Sequence, residues 1–129
     1  MSEKFSLEIL SPESLIIKTD VKQVVIPSFE GEMGILKDHI PLITFLRPGL
    51  VKIFNEDEKT FFVEEGTVEF ANNNLLILTS SADELSNFKK TSLETLINEA
   101  EKKFENEKIT DKEKYLLSYK IETLKNISQ

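Results

Sequence analysis

The chain has 129 residues, a formal net charge of −7 and no cysteine. This length suits one domain with or without an appendage, and the lack of cysteine excludes disulfides and thiolate metal sites. Nucleic acids and anionic lipids attract basic proteins, so the acidic balance argues against both as partners. No apolar run approaches the roughly 18 residues of a membrane span, and residues 1–4 lack a secretory pattern. We therefore expect a protein with no direct membrane span.

Apolar residues alternate with polar ones over most of the first half of the chain, as in half-buried strands. Phe5, Leu7 and Ile9 alternate in this way with serine and glutamate. Turn residues interrupt the pattern about every 8–12 residues, which is typical of an antiparallel sandwich or barrel. The predicted strands cover residues 5–9, 15–17, 21–26, 42–46, 50–54, 60–63, 67–70 and 75–78. A parallel sheet would need helical crossovers, and this part of the chain shows no helix-length apolar period.

Polar and proline residues predict where some of these strands end. Residues 19–20 are expected to separate the second strand from the third, and Pro27 to end the third at an edge or a turn. Residues 72–74 are three asparagines. Asparagine tolerates left-handed backbone, so this run predicts another chain reversal.

Residues 29–42 hold two of the four glycines and the single histidine of the chain. We predict a strand end, a tight reversal, a short apolar step and a second reversal. Gly31 and Gly34 can take positive φ without strain, while Pro41 removes a backbone donor and bars a helix. The stretch differs from a phosphate-binding loop, because its glycines are three apart and have acidic neighbours instead of a lysine.

The apolar period changes near residue 88, and the charge changes with it. Residues 1–85 carry 7 Lys+Arg against 15 Asp+Glu, whereas residues 86–129 carry 9 against 8. We predict a β-sandwich over 1–85 and an antiparallel two-helix hairpin over 86–129. The packing face of the hairpin is predicted to consist of Leu93, Leu96, Ile97, Ala100, Phe104, Leu117, Ile121 and Leu124.

Local signals support both helices. Thr91 with Glu94, and Thr110 with Glu113, predict a capping box for each helix, and Phe88 is a candidate for a hydrophobic staple. A hairpin of about 40 residues cannot enclose a core of its own. We therefore expect it to lean on the sandwich or on another protein.

Few residues suit catalysis. Glu30 and Glu32 would share a strand face and could do acid–base chemistry, although a solvated acidic loop is the simpler interpretation. His39 beside Asp38 could be an oriented base or a metal ligand. A lone histidine without a second ligand at metal spacing more often makes a turn or partner contact. No cofactor is expected, and the residues alone predict a sandwich whose helical hairpin serves an interaction.

Five separated motifs resemble, in order and spacing, the signature of the epsilon subunit of the F-type ATP synthase (delta in mitochondrial naming). They are Val25-Ile26-Pro27, Glu30-Gly31-Glu32-Met33-Gly34-Ile35-Leu36, His39-Ile40-Pro41-Leu42, Leu46-Arg47-Pro48-Gly49 and Glu65-Gly66-Thr67-Val68-Glu69. The resemblance extends from about Phe5 to Ala82. It implies a ten-stranded β-sandwich followed by two helices, and a non-catalytic role in the central stalk of a proton-translocating synthase.

The resemblance also implies partners. The sandwich would grip the foot of the gamma subunit and sit on the c-ring, at the cytoplasmic face of the bacterial inner membrane, so that all three turn together. Acidic side chains would help to set the register on the polar loops of the ring, and apolar ones would supply burial. The implied ring-facing residues are Glu30, Gly31, Glu32, Met33, Gly34, Ile35, Leu36, His39 and Pro41.

In bacterial relatives the hairpin folds against the sandwich or extends along gamma toward the catalytic alpha and beta subunits, where it restrains ATP hydrolysis. Some relatives bind ATP through an Asp-x-x-Arg-Ala motif in the first helix. Residues 86–100 lack that motif, and the only arginine of the chain is Arg47. ATP sensing by that route is therefore not expected.

Two other functions stay open on the residues alone. One is a ligand- or carbohydrate-binding β-sandwich with a helical oligomerisation tail, which an apolar pocket with convergent polar groups would favour. The other is a small hydrolase using His39 and Asp38, for which the sequence offers no nucleophile.

Overall fold

The computed structural model describes residues 3–128, which form ten β strands followed by two α helices. The strands are β1 (Phe5–Leu10), β2 (Leu15–Val21), β3 (Gln23–Ser28), β4 (Gly31–Leu36), β5 (Leu42–Leu46), β6 (Gly49–Phe54), β7 (Glu58–Val63), β8 (Gly66–Ala71), β9 (Asn74–Thr79) and β10 (Ala82–Glu84). The helices are α1 (Lys90–Phe104) and α2 (Asp111–Ile127). The predicted fold class, a β-sandwich followed by a helical hairpin, is confirmed. The predicted outer bounds at residues 1 and 129 lie outside the described residues.

The ten strands form one continuous sheet in the order β10-β7-β6-β3-β5-β8-β9-β1-β2, with β4 added beside β3. β1 and β9 run parallel, and the remaining pairs are antiparallel. The sheet folds over on itself because alternate side chains of its inner face pack together in one apolar core. The core residues are Phe5, Leu7, Ile9, Val21, Val24, Ile26, Ile35, Leu46, Val51, Ile53, Phe61, Val63, Val68, Phe70, Leu75 and Ile77.

The predicted ends of two strands are wrong. β2 runs unbroken through residues 19–20, which pair with β1 as regular members of the ladder, and the break falls at Lys22. Pro27 lies inside β3, opposite Glu32 of β4, and its carbonyl accepts a hydrogen bond from the Arg47 N–H at 3.0 Å. Two adjacent polar residues look like a turn in the sequence, but here they lie on opposite faces of one strand, Thr19 half-buried and Asp20 exposed.

The two predicted capping boxes have different outcomes. In α2 the Glu113 N–H donates to Thr110 Oγ1 at 3.1 Å and the Thr110 N–H donates to Glu113 Oε1 at 3.2 Å, so this box is confirmed. In α1 the N-cap is Lys89, which makes no side-chain capping bond, and Thr91 already lies inside the helix. The predicted box at Thr91 is therefore wrong.

The hairpin buries only part of its predicted packing face. Leu93, Ala100 and Leu124 are buried, whereas Phe104 at the end of α1 remains 40% exposed. The four other predicted residues of this face (Leu96, Ile97, Leu117 and Ile121) are half-buried. Across the two helices, Lys125 Nζ lies 3.3 Å from Glu101 Oε2. Within residues 3–128, no helix combines the length and the hydropathy needed to cross a membrane.

The two glycines of the central stretch have different backbones. Gly31 has a φ of +127° and follows the two-residue turn between β3 and β4. Gly34 does not take the positive φ that its residue type allows, because it is an ordinary strand residue of β4. A Cβ added at Gly34 would meet a single side-chain atom, Gln23 Nε2, at 3.4 Å. The fold of this chain therefore requires glycine at position 31 but tolerates a side chain at position 34.

Gly31→Ala is expected to lower the free energy of unfolding by about 1–3 kcal/mol, because a residue with a Cβ is strained at this φ. Gly34→Ala is the matched control, and we expect it to change that free energy by less than about 0.5 kcal/mol. Urea denaturation followed by circular dichroism measures both. Equal losses in the two variants would contradict the assignment of different backbone roles.

Candidate functional site

The predicted partner-facing stretch consists of a turn, a strand and a loop. Residues 29–30 form the turn before β4, and residues 37–41 form the loop after it. A strand of six residues rises about 3.3 Å per residue, which separates its ends by about 17 Å. The structure therefore places Glu30 and His39 at opposite ends of β4, and any partner that contacts both must lie along the strand.

The residues of β4 alternate regularly between exposed and buried positions. Glu32, Gly34 and Leu36 are exposed, while Ile35 is buried in the core and Met33 is half-buried between them. Among the described strands β4 pairs with β3 alone. The exposed side of β4 thus carries the Glu32 carboxylate, a gap at Gly34, and Leu36, which is 56% exposed.

The loop after β4 is tied to the turn between β8 and β9. Asp38 has a φ of +66°, its N–H donates to Asn73 Oδ1 at 2.7 Å, and its Oδ1 accepts from Asn73 Nδ2 at 3.0 Å. Asn72 and Asn73 both have positive φ, as their residue type predicted. Next to these two hydrogen bonds, Ile40 is 74% exposed. The loop is fixed by polar bonds on one side and presents an apolar side chain on the other.

His39 supports this loop. Its ring lies edge-on to Phe70, with 5.8 Å between ring centroids, and its Nδ1 lies 2.7 Å from the Ile40 carbonyl oxygen. The Asp38 carboxylate bonds to Asn73, so it is engaged away from the imidazole. Within residues 3–128, no three His, Asp or Glu side chains cluster in a way that could hold a metal ion.

Apolar side chains also cover part of the outer surface of the sheet. Phe45 of β5 pairs with Thr67, Thr67 with Leu78, Leu78 with Leu10, and Leu10 with Leu15. We call these five residues the outer row. Because neighbouring strands lie about 4.8 Å apart, the row crosses about 19 Å of sheet. Phe45 is 59% exposed, and Ile43, two residues earlier on the same face, is 78% exposed. Thr67 interrupts the apolar side chains of the row, and exposed apolar groups rimmed by polar residues in this way mark interaction sites.

The hairpin covers a different part of the outer surface. Leu50 and Phe62 are paired across β6 and β7, and they pack with Leu93 and Leu124 of the two helices. The side chains that complete this second apolar cluster are Phe88, Leu96, Ile97 and Ile127. Phe88 precedes the N-cap of α1 and shares the cluster with Leu93, in agreement with the predicted staple.

The first half of α2 makes a second, more polar attachment to the sandwich. Tyr115 OH donates to the Phe29 carbonyl oxygen at 3.0 Å, and the guanidinium carbon of Arg47 lies 3.8 Å from the centroid of the Tyr119 ring. Lys120 Nζ lies 2.9 Å from Glu64 Oε2, with both side chains largely shielded from solvent. The hairpin is thus held by an apolar cluster at one end of α2 and by aromatic and charged contacts at the other.

A cleft of about 350 Å³ lies beside this attachment, between the helix connection and the sandwich. Its lining includes Glu64, Glu65 and Glu113 together with Lys103 and Lys120. Small-molecule pockets are mostly apolar with a few convergent polar groups. This cleft, by contrast, carries charges of both signs, and two of them already pair with each other.

The carboxyl of Glu56, in the loop between β6 and β7, has a perturbed pKa. A hydrogen bond from the backbone N–H of Glu56 to its own carboxylate lowers the pKa from its ordinary value, and a bond from Lys4 Nζ at 3.2 Å lowers it further. The carboxylate is an exposed ion-pair partner of Lys4 and Lys22, and such exposed pairs contribute little to stability.

Comparison with known proteins identifies the family. The model of the ATP synthase delta/epsilon chain β-sandwich domain matches residues 4–84. The ATP synthase epsilon chain of Pelagibacter ubique is 50% identical over 130 residues, covering 99% of this chain and 100% of that protein. The ATP synthase epsilon chain of Parvibaculum lavamentivorans is 34% identical over 129 residues, covering 98% and 97%. The chain therefore belongs to the ATP synthase delta/epsilon family, and the resemblance seen in its motifs is confirmed.

Solved structures agree on the fold over both parts of the chain. A chain in the mitochondrial ATP synthase OSCP/F1/c-ring structure of Euglena gracilis superposes with a TM-score of 0.75 at 20% identity, covering 95% of this chain and 78% of that one. A chain in the central stalk/c-ring structure of the Tetrahymena thermophila mitochondrial ATP synthase gives 0.67 at 16% identity, covering 96% of each.

Sequence reasoning missed the outer row and the aromatic attachment of the hairpin. A signal for the row was present, since residues 42–46 carry apolar side chains on both faces of one short strand. Continuous apolar runs indicate a strand that is covered on both sides. The attachment of Tyr115 to Phe29 joins residues 86 positions apart, and no local pattern reports such a contact.

A chain truncated after Asn87 is expected to keep the folded sandwich, because all ten strands and the main core precede that residue. Truncation uncovers Phe62 and Leu50, so the free energy of unfolding should fall, but a single cooperative transition should remain. Circular dichroism and urea denaturation measure both. A truncated chain without a cooperative transition would show that sandwich and hairpin form one folding unit.

Proposed function

We propose that this chain is the non-catalytic central-stalk subunit of an F-type ATP synthase, peripheral to the cytoplasmic face of the bacterial inner membrane, where it couples the gamma subunit to the c-ring. The observation that carries the proposal is the uncovered outer row on a chain of this family. A folded protein gains by removing such surface from water, at about 25 cal/mol per Å². A permanent neighbour in a rotor supplies that burial.

The outer row is proposed as the surface that gamma contacts. The apolar centre around Phe45 and Ile43 fits the centre of a protein interface, where burial is greatest. Residues 1–85 carry a net charge of −8 (7 positive against 15 negative). A complementary basic partner surface would therefore be favoured at the rim.

The edge of β4 and the loop after it are proposed as the surface that faces the c-ring. Lying along the ring, this edge would bring both Glu32 and the exposed Leu36 and Ile40 into contact. Glu30 at the preceding turn would extend the acidic part of the contact. In this arrangement His39 stabilises the loop by packing on Phe70, and it does not itself contact the c-ring.

The hairpin is proposed as the regulatory part of the chain. In the structure it lies docked on the sandwich through the two attachments described above. Release toward the catalytic alpha and beta subunits would restrain ATP hydrolysis, and it requires new contacts that replace both attachments. A partner must favour the released position by about 5.5 kcal/mol to change its population from 1% to 99%.

Two substitutions of the same kind test the two surfaces against each other. Phe45→Asp is expected to weaken binding to purified gamma by about 30-fold or more, the loss typical of an interface hot spot. Leu36→Asp also places a carboxylate on exposed apolar surface but lies on the β4 edge, so gamma binding should change little. Isothermal titration calorimetry measures both affinities. Unchanged gamma binding in Phe45→Asp would contradict the assignment of the outer row.

Gly34→Val tests the ring-facing edge. The fold has room for a side chain at this position, but a partner backbone that approaches the gap between Glu32 and Leu36 would meet it. We expect a folded variant that is retained less in the purified synthase than Lys59→Val, an exposed control on β7, which β3 and β6 separate from β4. Quantitative gel analysis of the complex measures retention. Equal retention of the two variants would contradict the assignment of the β4 edge to the c-ring contact.

A further inference from the structure

A line of aromatic rings joins the outer row to the hairpin. The ring centroids of Phe45 and Phe29 are 6.3 Å apart, those of Phe29 and Tyr115 are 5.4 Å apart, and those of Tyr115 and Tyr119 are 5.0 Å apart. We call these four residues the aromatic line. Its first member is exposed on the proposed gamma surface, and its last is held beneath Arg47.

Phe29 is the member that both sides share. Its N–H donates to the Phe45 carbonyl oxygen at 3.1 Å, and its carbonyl oxygen accepts from Tyr115 OH at 3.0 Å. Both backbone polar groups of this turn residue are thus engaged, one by the sheet and one by the hairpin. A change in hairpin position must alter the surroundings of Phe29, because one of its two backbone bonds and one of its two ring contacts come from α2.

The ring of Phe45 is more exposed than buried. It is 59% exposed, and the ring of Phe29 flanks it in an edge-to-face arrangement. Ordering a mobile side chain reduces binding affinity, and a side chain that is already ordered avoids that loss. A fixed position of the Phe29 ring therefore raises the affinity of a partner that contacts Phe45.

We propose that docking of the hairpin and binding of gamma at the outer row are coupled through Phe29. The docked hairpin holds Phe29, and Phe29 holds Phe45 in the orientation that the partner meets. Because coupling between two equilibria is reciprocal, gamma bound at the outer row favours the docked hairpin by the same factor. The inference rests on the proposed function for its partner, whereas the aromatic line itself is a property of this chain alone.

A double-mutant cycle on binding to purified gamma tests the coupling. Tyr115→Ala, which removes one ring and one hydrogen bond of the line, is expected to weaken binding about two- to tenfold, the range of a single aromatic pair. In a Phe45→Ala background the same substitution should have no effect. Lys114→Ala, an exposed neighbour on α2, is the control and should leave affinity unchanged. Tyr115→Phe, which keeps the ring, should lie between the control and Tyr115→Ala.

A second measurement uses the chain without any partner. With fluorine-labelled phenylalanine, the resonance of Phe45 (assigned with Phe45→Leu) should shift in Tyr115→Ala and stay in place in Lys114→Ala. An unshifted Phe45 resonance, or an equal loss of affinity in both backgrounds of the cycle, would overturn the coupling and leave the proposed function intact. Failure of gamma to bind the unmodified chain would instead remove the proposed function, and the resonance would still decide whether Tyr115 orders Phe45.

Discussion

A sheet has two faces, and this chain places apolar side chains on both of them. The inner face forms a single core that sixteen buried residues fill. On the outer surface, Leu50 and Phe62 lie under the hairpin, while the outer row has no cover within the described residues. The hairpin and the proposed partner are therefore two solutions to one requirement, the burial of apolar groups that the core cannot hold.

The hairpin depends on the sandwich because its two helices cannot enclose a core between them. Its apolar attachment is centred on Leu124, and its polar attachment is the contact of Tyr115 and Tyr119 with the turn at Phe29 and with Arg47. These attachments involve only a few side chains, so a competing surface needs to replace only a limited set of contacts. The same few contacts place the hairpin directly beside the row that we assign to gamma, which is why the position of one can influence the other.

Much of this architecture could be predicted from local patterns. Alternation located most strands, the change of period located both helices, and Thr110 with Glu113 identified a cap that the structure contains. Local patterns failed where two adjacent polar residues lie inside a strand, as at residues 19–20, and where a strand has only three residues, as in β10. They also failed at Thr91, because a capping sequence two residues past the N-cap looks the same as one at the start of the helix. Residues 42–46 carried a signal for one end of the outer row, but the row as a whole could not be predicted, because strand order in the sheet brings Phe45, Leu78 and Leu15 together from distant parts of the chain.

In the proposed function, gamma covers the outer row in the assembled synthase. A photo-crosslinking amino acid in place of Ile43, which is 78% exposed beside Phe45, tests it within the intact complex. Illumination is expected to join this chain to gamma, and the same group in place of Leu36 is expected to give adducts with the c-ring instead. A c-ring adduct from position 43, or no adduct from it in a complex that retains this chain, would contradict the assignment of the outer row to gamma.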